Sequence, residues 1–219
     1  MEILKFSPIF KPTLWGSETW VVSAVKGSES IATNGIDKGL TLPEIVSRYG
    51  ADFLGRKNAE KFVGDFPLLI KFIGAGMVIA EIQQTSDVTY RIYDYLRRDR
   101  DGNLRQLHTE LALEAINFQD IVADPKVVYT ESRDAVVSLV ESPFFTTNEL
   151  KLTKPFLRDY TGIDSFRVYM CLDGQACFLS PEGQGIFLHQ GESLVVPASM
   201  PEVTILPDEN AKLLESYVE

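Results

Sequence analysis

The sequence predicts a mainly β protein that is built from jelly-roll barrels with a few covering helices. One observation is a stretch, residues 77–94, in which side chains alternate in character on either side of a polar turn. The other is the second half of the chain, where short candidate strands are separated by turns containing glycine and proline. Short strands at this spacing are typical of a jelly roll. The candidate strands are residues 136–140, 148–152, 167–172, 176–179, 186–189, 193–196, 203–206 and 212–218.

The composition is that of an ordinary globular protein. With 219 residues, of which 45% are hydrophobic and 24% charged, the chain can bury one large core or two modest ones. The formal net charge of −10 predicts an acidic surface that repels nucleic acid and anionic membranes, so neither is expected as a partner. The longest apolar run, residues 66–80, is interrupted by Lys71, and the N-terminal residues lack a signal-peptide pattern. We therefore expect a cytoplasmic protein.

The first half of the chain supplies the expected covering helices. Trp15 and Trp20 are interpreted as core-packing side chains of an irregular, strand-like segment. Thr41 and Glu44 have the spacing of a capping box, which predicts a helix that ends at Gly50. Further helical turns are expected at residues 51–54 and 57–62, and a continuous apolar strand at residues 66–73.

The alternating stretch is interpreted as two paired strands, residues 77–84 and 88–94, that follow a flexible glycine joint. It places Glu81 and Arg91 in the middle of these strands, where a sheet usually has apolar residues. A charge in such a position destabilises the fold unless the sheet face is exposed to solvent or the charges are paired. Two interpretations follow: a structural ion pair on a solvated face, or a functional site.

The segment after this pair is interpreted as a solvated loop followed by a helix. Residues 97–101 alternate in charge, which favours a solvated loop over a phosphate clamp. His108 is interpreted as a capping or packing residue, because no metal-ligand set surrounds it in the sequence. Thr109 is expected to cap a helix over residues 110–118, whose inner stripe is Leu111, Ala112, Ala115 and Ile116.

A break at Asp124 and Pro125 predicts two domains, residues 1–125 and residues 126–219. In the second domain, Asp173 and Gly174 are expected to form a two-residue hairpin turn between Cys171 and Cys177. Since that register points the two thiols to opposite faces, we expect reduced cysteines and no disulfide.

Several segments resemble the bacterial type I mannose-6-phosphate isomerases, which are zinc-dependent aldose–ketose isomerases of the cupin superfamily. The longest is AEIQQTSDVTYRIYDYLRRDRDGNLRQLHTELALEAINF. The others are FSPIFKPTLWGSETWVVSAV, NGIDKGLTLPEIV, FPLLIKFI and SPFFTTNELKL. The resemblance implies cupin-type jelly-roll barrels, or double-stranded β-helices. It also implies interconversion of mannose 6-phosphate and fructose 6-phosphate through an enediol, with a hexose 6-phosphate as partner.

The resemblance also implies functional residues and exposes a missing block. It implies Glu81 and Arg91 as catalytic residues, with Arg91 and Gln83 binding the substrate. The zinc ligands of the family are a Gln and a His from a QxHP-type strand, a Glu from the next hairpin, and a His before the glycine joint. In this sequence residue 73 is followed directly by the glycine joint, residues 74–76. The block that carries the zinc ligands in the family is therefore missing, and no metal ligand is assigned. The first barrel is therefore expected to be incomplete, which predicts homodimerisation, reduced stability or re-pairing of strands across the joint.

The second barrel carries a further cupin resemblance. GESLVVP, residues 191–197, resembles the second cupin motif, but the metal-binding His that normally follows it is absent. This predicts a metal-free, structural barrel in which His189 is a surface or half-buried residue.

Three functions remain open at the level of the sequence, and enzyme activity is uncertain. They are a mannose-6-phosphate isomerase, a non-catalytic sugar-phosphate-binding relative, and an interaction module in which Glu81 and Arg91 pair with each other. An improvised zinc site around His108 is a further alternative. A catalytic zinc ion is usually held by about three protein ligands. Because no ligand is assigned in this sequence, we expect no turnover of mannose 6-phosphate.

Overall fold

The computed structural model of the chain is mainly β, as predicted. It describes residues 1–13, 16–74, 78–86, 88–119 and 128–219. The chain divides into two compact units, the first formed by residues 1–85 and 129–219 and the second by residues 86–128. The predicted division into domains at residue 125 stays a prediction, although the first unit contains strands from both sides of it.

The described part of the first unit contains three helices and twelve strands. The helices are α1 (Leu42–Tyr49), α2 (Ala51–Leu54) and α3 (Arg56–Lys61). The first strands are β1 (Leu4–Lys5), β2 (Ile9–Thr13), β3 (Gly16–Val22), β4 (Leu68–Gly74) and β5 (Val78–Gln84). The remaining strands are β6 (Val136–Glu141), β7 (Thr146–Leu152), β8 (Phe156–Asp159), β9 (Arg167–Leu179), β10 (Gly185–His189), β11 (Ser193–Val196) and β12 (Glu202–Tyr217).

These strands form two antiparallel sheets. The larger has the order β1-β11-β9-β12-β7-β6, with β10 paired to β9 and β8 paired to β12, and the smaller has the order β2-β3-β4-β5. Two clusters of buried apolar side chains hold the unit together. One joins α1, α2, β3 and β4 to Val168 and Met170 of β9 and to Phe166, which directly precedes that strand. The other lies among β7, β9, β11 and β12 and includes Tyr169, Phe178 and Leu213.

Helix α1 begins and ends where its sequence predicts. The Glu44 amide donates to Thr41 Oγ1 at 3.4 Å, while Glu44 Oε2 accepts from the Thr41 amide at 2.8 Å, so both halves of the capping box are present. The hydrogen bonds from Thr41 lower the pKa of Glu44. The amphipathic pattern buries Leu42, Ile45 and Val46 in the core.

The predicted hairpin at Asp173 and Gly174 is wrong, because both residues lie within the continuous strand β9. Strand β12 likewise joins two predicted strands. Its pairing with β9 shifts register between Pro207 and Ala211 and again between Lys212 and Leu213. Gly174 has φ +70°, and a Cβ there would lie 2.2 Å from the Asn210 carbonyl oxygen. A glycine is therefore needed where the two long strands bend together. Both cysteines are free, and burial raises the pKa of Cys171 to about 11.

The smaller sheet closes across the glycine joint by pairing β4 with β5, in a register that runs from Leu68 opposite Gln84 to Gly74 opposite Val78. Re-pairing of strands across the joint was one of the alternatives that the sequence left open, and the pairing of β4 with β5 agrees with it. The predicted partner strand, residues 88–94, is wrong because these residues form no strand. The apolar strand β4 offers β5 a buried partner. Residues 88–94 instead expose most of their apolar side chains, so alternation there does not mark a half-buried sheet. The expected homodimer stays a prediction.

The second unit contains helix α4 (Thr109–Ala115) and an isolated bridge between Arg98 and Leu104. The helix is shorter than predicted, and Thr109 is its first residue rather than its cap, since His108 occupies the N-cap without a side-chain hydrogen bond. Of the predicted inner stripe, Ala112 alone is buried.

The two tryptophans of the N-terminal segment were both predicted to pack in the core. Trp20 is buried, as predicted, and Trp15 lies outside the described residues. Among the helices of the described segments, none is long and apolar enough to cross a membrane.

Candidate functional site

The candidate site lies on one face of the smaller sheet, where Glu81 of β5 is directly opposite Lys71 of β4. Lys71 Nζ lies 3.5 Å from Glu81 Oε1 and 3.6 Å from Glu18 Oε2 on β3. Lys71 is only 8% exposed, while about a third of the Glu81 side chain, 34%, reaches solvent. A buried ammonium is thus shared by two carboxylates on neighbouring strands, which is the pairing that makes a buried charge tolerable.

An aromatic side chain joins this cluster from β3. Trp20 is paired with Lys71 across the sheet, and its indole Nε1 donates to Glu18 Oε2 at 2.8 Å. Lys11 Nζ of β2 lies 3.2 Å from the centre of the Trp20 ring, a cation–π contact. We call Lys11, Glu18, Trp20, Lys71 and Glu81 the polar face.

The strand alternation that creates the polar face also explains its rigidity. The neighbouring positions Ile70, Phe72 and Ile82 point to the opposite face and pack in the core. Backbone pairing with β3 on one side and β5 on the other fixes β4. Lys71 and Glu81 are therefore held by regular sheet geometry rather than by a loop, which is the kind of support a functional site needs.

Gln83 lies two residues beyond Glu81 on β5, so it shares the same side of the strand, and it is half-buried. Its predicted role in substrate binding stays a prediction.

Arg91 lies in the second unit, outside any strand. Its amide donates to His108 Nδ1 at 3.1 Å, and its Nη1 donates to the Gln106 carbonyl oxygen at 3.0 Å. The carboxylate that Arg91 approaches is Asp94, at 4.0 Å, whereas the cation beside Glu81 is Lys71. Each charge that the sequence singled out therefore has another partner, and the catalytic and binding roles of Arg91 stay predictions.

Sequence reasoning noticed Lys71 only as an interruption of an apolar run and missed its role as the centre of the polar face. A lysine inside an otherwise continuous buried strand was the available signal, because such a charge needs a partner. Lys11 and Glu18 gave no comparable signal, since their places depend on the pairing of β2 with β3 and of β3 with β4.

The described segments do not assemble a zinc site. In those segments, no three His, Cys, Asp or Glu residues come together to hold a metal ion. His108 Nδ1 is occupied by the Arg91 amide, and His189 Nδ1 lies 2.9 Å from Glu192 Oε2. The zinc ion implied by the family resemblance therefore has no fitting ligand set among these residues.

The cupin-like segment at residues 191–197 forms a structural contact. Glu192 Oε2 accepts from Lys5 Nζ at 2.5 Å and from the His189 amide at 2.9 Å. Burial acts to raise the pKa of Glu192, but these hydrogen bonds outweigh it and lower the pKa. The contact joins β1 to the turn that leads into β11, and it leaves His189 largely exposed, as predicted.

The two antiparallel sheets, with a jelly roll formed around β9 and β12, define a cupin-type protein. No protein-family model matches the chain. Sequence comparison nevertheless finds 32% identity over 155 residues with the mannose-6-phosphate isomerase ManA of Bacillus subtilis, covering 64% of this chain and 49% of that protein. A mannose-6-phosphate isomerase of Streptococcus mutans is 33% identical over 143 residues, covering 63% of this chain and 45% of that protein. The chain thus spans about half the length of the curated relatives it matches.

Solved structures show the same likeness in the fold. A mannose 6-phosphate isomerase from Bacillus subtilis aligns with a TM-score of 0.81 at 19% identity, and the alignment covers 100% of both chains. The apo mannose 6-phosphate isomerase of Salmonella typhimurium aligns with a TM-score of 0.64 at 12% identity, again over 100% of both chains. The predicted resemblance is confirmed: this chain is similar in sequence to mannose-6-phosphate isomerases and shares the fold of their solved structures.

Proposed function

We propose that this chain interconverts mannose 6-phosphate and fructose 6-phosphate. The relatives named above are mannose-6-phosphate isomerases, which supports this substrate pair. The observation that carries the proposal is the pairing of Glu81 with Lys71 at 3.5 Å on a rigid sheet face. A carboxylate and a cation at this distance are the two groups that an enediol mechanism requires.

The proposed reaction is a proton transfer between two neighbouring carbon atoms. Glu81 takes the proton from C2 of the aldose, and the electron pair of the broken C–H bond forms the C1–C2 double bond as the C1 oxygen gains negative charge. Lys71 stabilises this oxygen through its ammonium charge. The C1 oxygen is then protonated, the C2 hydroxyl gives up its proton to become the ketone, and Glu81 returns a proton to C1. Atoms and charges balance without a redox step.

The sequence alone leads us to expect no turnover, because the zinc ligands of the family are missing. The polar face changes this expectation. Glu81 and Lys71 can supply proton transfer and charge stabilisation without any of the missing ligands. Arg91 and Gln83 enter the proposal only through the family resemblance, as groups for the phosphate or enediolate and for the sugar hydroxyls.

A second candidate function is binding of a hexose 6-phosphate without catalysis. It is favoured by one observation, that the described segments contain no group of three metal-ligating side chains. In that case the polar face would hold the sugar, but the barrier to breaking the C2–H bond would stay high.

The experiment that tests the proposal measures conversion of mannose 6-phosphate to fructose 6-phosphate on the pure, folded protein, with added zinc and with chelator. Turnover that resists the chelator is expected. Turnover that the chelator abolishes would contradict the metal-free mechanism, although the substrate pair would stand. A parallel thermal-shift titration with mannose 6-phosphate separates the remaining cases. Stabilisation without turnover would support the second candidate, and neither effect would contradict both.

A further inference from the structure

The second unit contains a cluster of arginines around one buried carboxylate, which the proposed function does not use. Asp94 is 8% exposed and is held by Arg105, whose Nε and Nη2 both donate to it. Arg91 Nε and Arg97 Nη1 approach the same Asp94 Oδ1, at 4.0 Å and 3.9 Å. Three guanidinium groups therefore surround a single carboxylate.

The charges in this cluster do not cancel. Arg105 forms a two-pronged contact with both oxygens of Asp94, and this is the main reason that the pKa of Asp94 is lowered, against the opposing effect of burial. Three guanidinium groups and one carboxylate give the cluster a net charge of about +2, and Arg91 and Arg97 lie at the outer limit of an ion pair with Asp94. Within the described segments the Arg97 guanidinium donates no hydrogen bond, whereas its backbone amide donates to the Asp94 carbonyl oxygen, and 41% of the side chain is exposed. A cationic spot of this kind stands out in a chain whose formal net charge is −10.

A small pocket opens beside these arginines. It has a volume of about 150 Å³ and is lined by Tyr93, Asp94, Arg97 and Arg105, with leucines completing the wall. Arg97 also lies over the Tyr95 ring, with 5.2 Å between its guanidinium carbon and the ring centre, a contact that restricts where the guanidinium can point. The pocket therefore combines a restricted cation that has unused hydrogen-bond donors with a size that suits a phosphate group rather than a whole sugar phosphate.

We propose that this arginine pocket, formed by Tyr93, Asp94, Arg97 and Arg105, binds a phosphate group. Guanidinium groups match the geometry of phosphate oxygens and bind them through paired N–H donors. Arg97 supplies the free donors, Arg105 adds charge while it stays paired with Asp94, and the Tyr93 hydroxyl is a further candidate donor. The ligand is either inorganic phosphate or a phosphate monoester. The proposal stands apart from the polar face and does not depend on isomerase activity.

The test compares phosphate binding by the unaltered protein with binding by Arg97→Ala and Arg97→Lys at constant ionic strength. Isothermal titration with inorganic phosphate, with chloride as the reference anion, is expected to show binding that Arg97→Ala weakens at least about tenfold. Arg97→Lys should keep part of the affinity, because it retains the charge but loses the paired donors. Circular dichroism confirms that each variant is folded.

The matched control is Arg100→Ala. Arg100 is an exposed neighbour that does not line the pocket, and its replacement removes the same charge from the same loop. An equal loss of affinity in Arg97→Ala and Arg100→Ala would overturn the proposal, because it would show general charge attraction. Phosphate that binds no better than chloride would overturn it too.

Competition with mannose 6-phosphate distinguishes the two sources of the phosphate group. Displacement of phosphate by the ester, lost in Arg97→Ala, would support a monoester ligand, and phosphate binding that the ester leaves unchanged would support the free anion. Failure of the proposed isomerase activity has a different signature, since it appears as absent turnover whether or not Arg97 binds phosphate.

Discussion

Lys71 and Glu81 face each other across adjacent antiparallel strands, with 3.5 Å between the ammonium nitrogen and the nearer carboxylate oxygen. This relationship exists because β4 and β5 pair directly on either side of the glycine joint. It places a proton-accepting group beside a fixed positive charge, and it makes the two strands the natural target for the first substitution.

We expect Glu81→Gln to lower turnover of mannose 6-phosphate about 10²- to 10⁴-fold, the range typical for loss of a general base. Glutamine keeps the size of the side chain but cannot accept the C2 proton. A coupled assay for fructose 6-phosphate measures the effect, and urea unfolding checks that the sheet is intact.

Glu182→Gln serves as the control for this substitution. Glu182 lies in an exposed turn, and replacing it with glutamine removes the same negative charge. Equal activity of the unaltered protein and Glu81→Gln would rule out Glu81 as the base. An equal loss in both variants would point to net charge instead of chemistry.

A second buried charge lies inside the jelly roll and has a structural role. Glu215 is fully buried and receives two hydrogen bonds of 2.9 Å from Arg158, one of 2.8 Å from Asn148 and one of 2.5 Å from Tyr169. Burial acts to lower the pKa of Arg158, but its contacts with Glu215 outweigh that effect and raise it. Tyr160 extends the network through a 2.7 Å hydrogen bond to Tyr169.

We expect Glu215→Ala to destabilise the protein by about 3–5 kcal/mol, because it leaves the half-buried Arg158 without a counter-charge and the buried Asn148 and Tyr169 without their acceptor. Urea unfolding of the variant against the unaltered protein measures the difference. Glu202→Ala on the same strand is exposed and is expected to change the stability by less than about 0.5 kcal/mol. A Glu215→Ala variant as stable as Glu202→Ala would show that water replaces the network at no cost.

Gly174 allows a third prediction about the bend between β9 and β12. Gly174 has a positive φ that strains any residue with a Cβ, so Gly174→Ala introduces backbone strain. The new Cβ would also lie 2.2 Å from the Asn210 carbonyl oxygen. Gly183→Ala adds the strain alone, at φ +85° with no atom within 4 Å of its Cβ. Strain of this kind costs roughly 1–2 kcal/mol. Unfolding midpoints should therefore fall more for Gly174→Ala than for Gly183→Ala, and equal shifts would contradict the close approach of the two strands.

Local signals in the sequence predicted local structure well. The capping box at Thr41 and the apolar stripe of α1 depend on residues within one or two turns, so pattern alone was sufficient. The short strands β6, β7, β10 and β11 were likewise found from the spacing of strands and turn residues, whereas β8 was not predicted and β9 was predicted as two strands. The resemblance to a known family supplied the cupin-type fold as a whole.

Long-range pairing explains what sequence reasoning could not predict. Asp173 and Gly174 have the composition of a hairpin turn, yet β12 pairs along the whole of β9 and holds them in a bent strand. The centre of the polar face, Lys71, depends on partners from β3 and β5. The site of Arg91 depends on His108, which lies 17 residues further along the chain and contacts Arg91 in the folded second unit. None of these partners follows from spacing along the chain.

The pH dependence of stability is expected to reflect Glu192. Its pKa is lowered in the folded protein, where hydrogen bonds from Lys5 and the His189 amide outweigh burial. The carboxylate therefore stabilises the fold above its unfolded pKa, near 4.5, and this contribution is lost as the pH falls through the lower, folded pKa. Urea unfolding at pH 7 and at several lower values should show that Glu192→Gln is less stable than the unaltered protein at pH 7, with a gap that shrinks as the pH falls below 4.5. Glu182→Gln, which removes an exposed charge, should show no such change with pH in its stability relative to the unaltered protein. If the stability difference between Glu192→Gln and the unaltered protein stays constant with pH, the contact with Lys5 does not stabilise the join between β1 and β11.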